Sequence, residues 1–303
     1  MTSESKLQAI DEYIPVNGIQ FYTKQTVRSP GGTVVPKDTK TVAKIFFIHG
    51  FAEHVNRYTE LFEVLASKGI EVFAFDQRGA GRTAPDRKDW GVTEEKLVYE
   101  DIDAFISLKM KPDFSASMGS PIPWYMMGFS MGGGICLNYA IKGNYRDLFT
   151  GYVAMSPCVL VHPRTRPNPV VHLILLGVSK VVPRLQFDTG IVHEYLTHDE
   201  AEVEALSDML DRGKHLLDHN YYSKIADKSV LIIHGDADKV NSFDASKLFF
   251  ERLPIKNKHF VVMEGGYHEL HHERPEDRQK FFKELIDWFY NDASRISTAS
   301  SKL

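Results

Sequence analysis

Apolar runs and helix-spaced apolar positions alternate through most of this 303-residue chain. Lys44-Ile45-Phe46-Phe47-Ile48 is a short apolar run ending at His49-Gly50, the pattern of a strand buried on both faces. Tyr58, Leu61, Phe62 and Leu65 recur at helical spacing and stop at Gly69. Ile70 to Phe75 predicts the next strand, and Glu94 to Met110 a helix with Leu97, Ile102, Phe105 and Ile106 on its apolar side. Ile122 to Met127 predicts a strand, and Gly132 to Ala140 a helix. Tyr152 to Met155, Val230 to Ile233 and Phe260 to Met263 predict three more strands. Phe281, Phe282, Leu285, Ile286, Trp288 and Phe289 mark an amphipathic closing helix that ends near Tyr290. Strands separated by helices imply an α/β fold: a mostly parallel central sheet with helices on both faces. Such sheets carry their reactive groups at the carboxyl ends of the strands.

The alternation breaks between Pro157 and Lys228. This stretch opens with Pro163, Pro167 and Pro169, continues through the apolar Val170 to Val182, and turns polar and helix-rich from Asp199 to Asp218, with no strand evident. It is too long for an ordinary loop and reads as a helical insertion between two core strands. The organisation is therefore a core of residues 1–156 and 229–293, a helical cap or lid of residues 157–228, and a flexible tail of residues 294–303. A face of Val170 to Val182 either joins the core or touches a membrane or lipid-droplet surface.

Composition narrows the class. Apolar residues make up 43% and charged residues 25%, which excludes wholesale disorder and fibrous structure. A net charge of −4 gives no reason to expect a nucleic-acid partner. Cys136 and Cys158 read as small buried residues rather than a bridge. No apolar run reaches the roughly 20 residues needed to span a bilayer, and the polar Met1 to Lys6 is not a secretory signal. The end, Ser301-Lys302-Leu303, matches the tripeptide read by the peroxisomal import receptor, so the expected location is the peroxisome, with the cytosol as alternative.

The strongest chemical signal is Gly128-Phe129-Ser130-Met131-Gly132, a G-x-S-x-G lying between a predicted strand and a predicted helix. In that context Ser130 is a nucleophile on a tight strand-to-helix turn; in any other it could simply cap the helix. A serine hydroxyl needs a base, and the base an orienting acid. The acid should follow the first strand after the insertion, where Asp236 and Asp238 compete; a turn between strand and acid favours Asp238. The base should follow the next strand. His259 stands at that strand's start, whereas Gly265-Gly266 precede His268, which is favoured over His271 and His272. An oxyanion hole needs two donors: the N–H of Met131, after the nucleophile, and that of Phe51, in the loop His49 to Glu53. His49 braces this loop, and Asp76-Gln77-Arg78-Gly79 is a structural turn with Arg78 paired internally. No metal-ligand spacing is present: His268, His271 and His272 fall too close together for a zinc site. No metal or cofactor is required.

These motifs resemble those of the α/β-hydrolase superfamily, and within it the monoacylglycerol lipase family, in particular fungal members. The resemblance spans roughly residues 40–292. It rests on His49-Gly50-Phe51-Ala52-Glu53-His54, Arg57-Tyr58, Phe75 to Gly81, Ser130-Met131-Gly132-Gly133, His234-Gly235-Asp236-Ala237-Asp238 and Gly266-Tyr267-His268-Glu269-Leu270-His271. It implies an α/β-hydrolase fold with a serine triad and a helical cap over an acyl tunnel. It also implies a small polar pocket for glycerol, with Glu53, Arg57 and His271 at the pocket positions. The implied activity is cleavage of monoacylglycerols to fatty acid and glycerol through an acyl-enzyme. Lysophospholipase, carboxylesterase or acyl-CoA thioesterase activity is the alternative on the same fold, and a non-catalytic lipid carrier the alternative of another class. Phe129 departs from the family, which usually has His before the serine.

Overall fold

The computed structural model describes residues 6–29, 33–34, 40–111, 122–164, 186–188 and 200–300. Hydrophobic runs alone miss its first two elements, β1 (Lys6–Val16) and β2 (Ile19–Ser29), an antiparallel hairpin. Its turn is Asn17-Gly18, with φ of 48° and 77°. Two residues at positive φ let a two-residue loop follow the strands' twist, and an Asn-Gly pair between alternating strands is the sequence signal for it. A two-residue strand, β3 (Thr33–Val34), pairs with β1.

The parallel core then builds outward from β4 (Ala43–Ile48). Phe46 and Ile48 turn to one face of the sheet, Ile45 and Phe47 to the other, and all four are buried. β5 (Ile70–Phe75) lies on one side of β4 and β6 (Trp124–Phe129) on the other. β7 (Gly151–Met155), β10 (Ser229–Gly235) and β11 (Lys258–Met263) extend the sheet beyond β6, all parallel. β2 joins β5 antiparallel, so the nine-stranded order is β11-β10-β7-β6-β4-β5-β2-β1-β3. Helices α1 (Thr59–Ser67) and α7 (Pro275–Ser300) cover the Ile45/Phe47 face with Leu61, Phe62, Phe281, Leu285 and Phe289. Helices α2 (Glu95–Lys109), α3 (Met131–Lys142) and α6 (Phe243–Arg252) cover the other with Ile102, Phe105, Leu137 and Phe249. Both faces are apolar because both are covered, so the strand sequences read as runs rather than alternations.

Three expectations are corrected. β6 begins at Trp124 and extends through Phe129, two residues later than the apolar run suggests, because Pro123 has no N–H to give the ladder. The insertion does contain strands: β8 (Gln186–Asp188) pairs antiparallel with β9 (Glu200–Glu202). Three-residue strands are too short to show periodicity. The tail does not end the helix near Tyr290. α7 runs to Ser300, because no Gly or further Pro interrupts it, and its last turns have an anchor. Buried Asp292 accepts hydrogen bonds from Tyr125 Oη (3.0 Å), Ser229 Oγ (2.6 Å), Asn257 Nδ2 (2.9 Å) and Arg295 Nη2 (2.8 Å).

Between β7 and β10 the cap contributes α4 (Val203–His215) and α5 (His219–Tyr222). The cap is tied to the core by side chains: Asp208 accepts the Glu95 N–H at the start of α2 (2.7 Å), and Asn138 of α3 donates to the Arg212 carbonyl (3.3 Å). Val170 to Val182 and Ser301 to Leu303 lie outside the described residues. Cys136 and Cys158 are both free and buried.

Candidate active site

Ser130 follows β6 directly and opens α3, with φ 52° and ψ −114°. A non-glycine residue in this region stores about 1–3 kcal/mol of strain, so surrounding contacts must hold it. Its N–H donates to Met155 O (2.9 Å), and its carbonyl accepts from Gly134 N (3.0 Å) and Cys158 N (2.9 Å). The flanking glycines are required by space. A Cβ at Gly128 would collide with the Gly132 carbonyl, and one at Gly132 with the Ile48 carbonyl. The hydroxyl makes no capping hydrogen bond to the helix; it faces the loops instead.

His268 Nε2 lies 3.0 Å from Ser130 Oγ, and His268 Nδ1 lies 2.7 Å from Asp238 Oδ2. Asp236 has the turn role: its Oδ1 accepts the Gly265 N–H (2.7 Å), bracing the loop that carries His268. Asp238 is buried and surrounded by donors. Its Oδ1 accepts from Val240 N (2.7 Å) and Asn241 N (3.0 Å), and its Oδ2 from the imidazoles of His268 and His234. Burial opposes its charge, but the hydrogen bonds from His234 and His268 prevail and hold the carboxyl well below the usual carboxylate range. His259 is exposed on β11, away from this group. Sequence reasoning missed His234 and Asn241. Asn241 donates its side-chain amide to Ser156 O (2.8 Å) and approaches Ser130 Oγ at 3.4 Å.

Phe51 and Met131 line one cavity together with His49, Gly50 and Gln77. As the first residue of α3, Met131 has an N–H with no intrahelical acceptor. His49 is a brace. It faces the Gly50 carbonyl through Nδ1 (2.8 Å) and accepts the Gln77 N–H at Nε2 (2.8 Å), while Gln77 Nε2 donates to the His49 carbonyl (2.8 Å). Burial pushes the His49 imidazole down to about 3, so it stays neutral. In the neighbouring turn Arg78 forms a bidentate pair with buried Asp101 (2.9 and 2.8 Å).

A second, open cavity is lined by His268 together with Arg57, Lys239, Glu269, His272 and Arg278 among others. Arg57 bonds Glu269 through Nη2 (2.7 and 2.8 Å) and lies 3.5 Å from Glu53. Glu53 and His271 are buried behind this wall, with Tyr58 between them: Tyr58 Oη donates to Glu53 Oε2 (2.5 Å) and its ring stacks on His271 at 4.7 Å. Burial raises the Glu53 carboxyl to about 7, against the pull of Arg57 and Tyr58. Phe129 fills the space between His268 and His271, 4.9 Å from each ring. An apolar ring at this position backs the histidine loop without adding a titrating group. The arrangement is chemically complete for acyl transfer: a strained serine, an imidazole within reach of its hydroxyl, a held carboxylate and a helix N-terminus.

A family described as serine aminopeptidase, S33 (Hydrolase_4) matches residues 39–275. The chain is 34% identical over 282 residues to a putative monoglyceride lipase of Schizosaccharomyces pombe, spanning 87% of this chain and 71% of that protein. It is 33% identical over 247 residues to a monoglyceride lipase of Saccharomyces cerevisiae, spanning 75% and 77%. A solved structure of a soluble variant of the Saccharomyces cerevisiae monoglyceride lipase, in complex with a substrate analog, superposes with a TM-score of 0.83. It is 28% identical and covers 96% of this chain and 97% of that one.

Proposed function

The chain belongs to the serine aminopeptidase S33 family of α/β-hydrolases and, within it, to the monoglyceride lipases, and on that premise we propose that it cleaves monoacylglycerols through Ser130, His268 and Asp238. It is a serine ester hydrolase. The observation that carries the assignment of roles is the continuous hydrogen-bonded line from Ser130 Oγ through the His268 ring to Asp238.

Ser130 Oγ attacks the ester carbonyl while its proton passes to His268 Nε2. The N–H groups of Phe51 and Met131 receive the oxyanion, and Asp238 steadies the imidazolium. The tetrahedral intermediate collapses, the C–O bond to glycerol breaks, and His268 protonates the leaving oxygen. Water, deprotonated by His268, then attacks the acyl-enzyme and releases the fatty acid. The leaving glycerol is received in the cavity beside His268, at Arg57, with Glu53 and His271 supporting that wall from behind. A second acyl chain offers no hydroxyl to the Arg57 wall and buries that charged surface against hydrocarbon, at about 1–3 kcal/mol.

The test has two arms. A fluorophosphonate probe should label the protein and not Ser130→Ala; absence of labelling would favour a non-catalytic lipid carrier. A hydrolysis panel of mono-, di- and triacylglycerol, lysophospholipid and acyl-CoA should show monoacylglycerol cleaved fastest, and equal rates on mono- and triacylglycerol would overturn the substrate assignment. We also propose that the cap segment Val170 to Val182 meets a lipid surface and that Ser301-Lys302-Leu303 directs peroxisomal import. A fusion with a free C-terminus should reach peroxisomes, and the same protein lacking Leu303 should not.

A further inference from the structure

Asp238 is held by two imidazoles, and only one of them faces the nucleophile. His234 is the penultimate residue of β10, fully buried, with its ring beside Phe243 of α6 at 5.8 Å. Its Nε2 lies 2.9 Å from Asp238 Oδ2, the same oxygen that meets His268 Nδ1. His234 Nδ1 is buried without a hydrogen-bond partner. A carboxylate only accepts, so the proton of this imidazole sits on Nε2. The charged or titratable groups that face it are Asp238, in the loop after its own strand, and His268, in the loop after β11. Burial pulls the imidazole below its ordinary value, against the raising effect of Asp238.

An orphaned buried ring nitrogen is destabilising, because it has given up water and found no partner in return. An apolar side chain would fill the same space under Phe243 without that penalty. What a hydrocarbon cannot do is aim the carboxylate. Val240 and Asn241 N–H groups hold Oδ1, but both come from one short turn and leave the carboxylate free to tilt about that edge. A donor on the other oxygen, Oδ2, held in strand β10, removes the tilt and leaves that oxygen's remaining lone pair for His268. We propose that His234 is a positioning residue of the triad, which orients Asp238 and takes up part of its charge, so that Oδ2 meets His268 in one fixed geometry. This rests on the serine-hydrolase reading above.

The sign of the effect follows from the contact. Without the His234 donor, Oδ2 presents more negative charge to His268 and holds its imidazolium more strongly. The acid limb of kcat/KM then moves to higher pH, and kcat falls because the carboxylate is loose. His234→Leu should lower kcat/KM on a monoacylglycerol about tenfold to a hundredfold, mostly in kcat, with the acid limb raised by about half a pH unit or more. His234→Gln keeps an N–H at similar reach and should return within about threefold of the parent. Unchanged rate and limb in His234→Leu, or equal loss in both variants, would overturn the proposal. Should the leucine variant not fold, proton NMR decides: the parent should give two strongly deshielded imidazole N–H signals, one lost in His234→Gln, and a single signal overturns the proposal. Fluorophosphonate labelling of the parent, run alongside, separates failure here from failure of the hydrolase reading.

Discussion

Ser130 departs most plainly from ordinary backbone chemistry, and its neighbours explain why it can. Its positive φ is bought with three backbone hydrogen bonds and with two glycines that admit carbonyl oxygens where a Cβ would stand. The two aspartates after β10 show how little distance in sequence separates two different contacts. Asp238 faces His268, whereas Asp236, two residues earlier, closes a turn onto Gly265. Asp238→Asn should therefore lower kcat about 10⁴-fold, because the amide favours the wrong imidazole tautomer. Asp236→Asn should retain most activity. Steady-state kinetics on both variants checks this, and the reverse pattern would reassign the acid.

At the scale of elements, the closing helix is informative. The last turns of α7 carry little apolar surface, yet they are tied to the sheet through Asp292, whose carboxylate gathers donors from β6, β10, the loop before β11 and the helix itself. Asp292→Ala would leave the buried Tyr125 Oη without its acceptor and reduce Ser229 Oγ and the Asn257 amide to their bond with each other and the Arg295 contact. Losing this network should destabilise the fold by about 2–4 kcal/mol. Urea denaturation should show a lower midpoint at unchanged slope. The cap is held by comparable means: Asp208 of α4 satisfies the first N–H of α2, so the lid is joined to the core at a helix terminus.

Over the whole molecule, the polar groups around the site make stability depend on pH. The buried Glu53 carboxyl titrates near 7 in the fold, against an unfolded value of 4.5. The folded state therefore keeps a proton that the unfolded chain has already lost. The stability linked to this group is fully present below 4.5 and is lost as pH rises through about 7. Glu53→Gln removes the titration. Relative to the parent, it should gain stability on going from pH 4.5 to pH 7 by on the order of 1–3 kcal/mol and then level off. Thermal melts of both proteins across this range test it, and parallel curves would show that Glu53 does not titrate there.

The fold class, the parallel order of core elements and the position of Ser130 were legible in the amino-acid sequence, because each depends on local rules: continuous apolar strands, helical spacing, and a G-x-S-x-G turn that only small flanking residues allow. The acid and the base could be narrowed by chain order, since each had to follow a particular strand. The structure then separated Asp238 from Asp236 by which carboxylate faces His268. The N-terminal hairpin was written in Asn17-Gly18, a turn signal that apolar patterning does not register. Helix α7 outran its apolar stripe because Asp292 and Arg295 meet Ser229, a partner 63 residues away from Asp292. His234 is an ordinary strand residue in sequence, and its contact with a carboxylate four positions on is made by the turn after the strand, where the Asp238 N–H donates to the Gly235 carbonyl. Local chemistry decides which elements form, whereas burial among residues distant in sequence decides which polar groups must find one another.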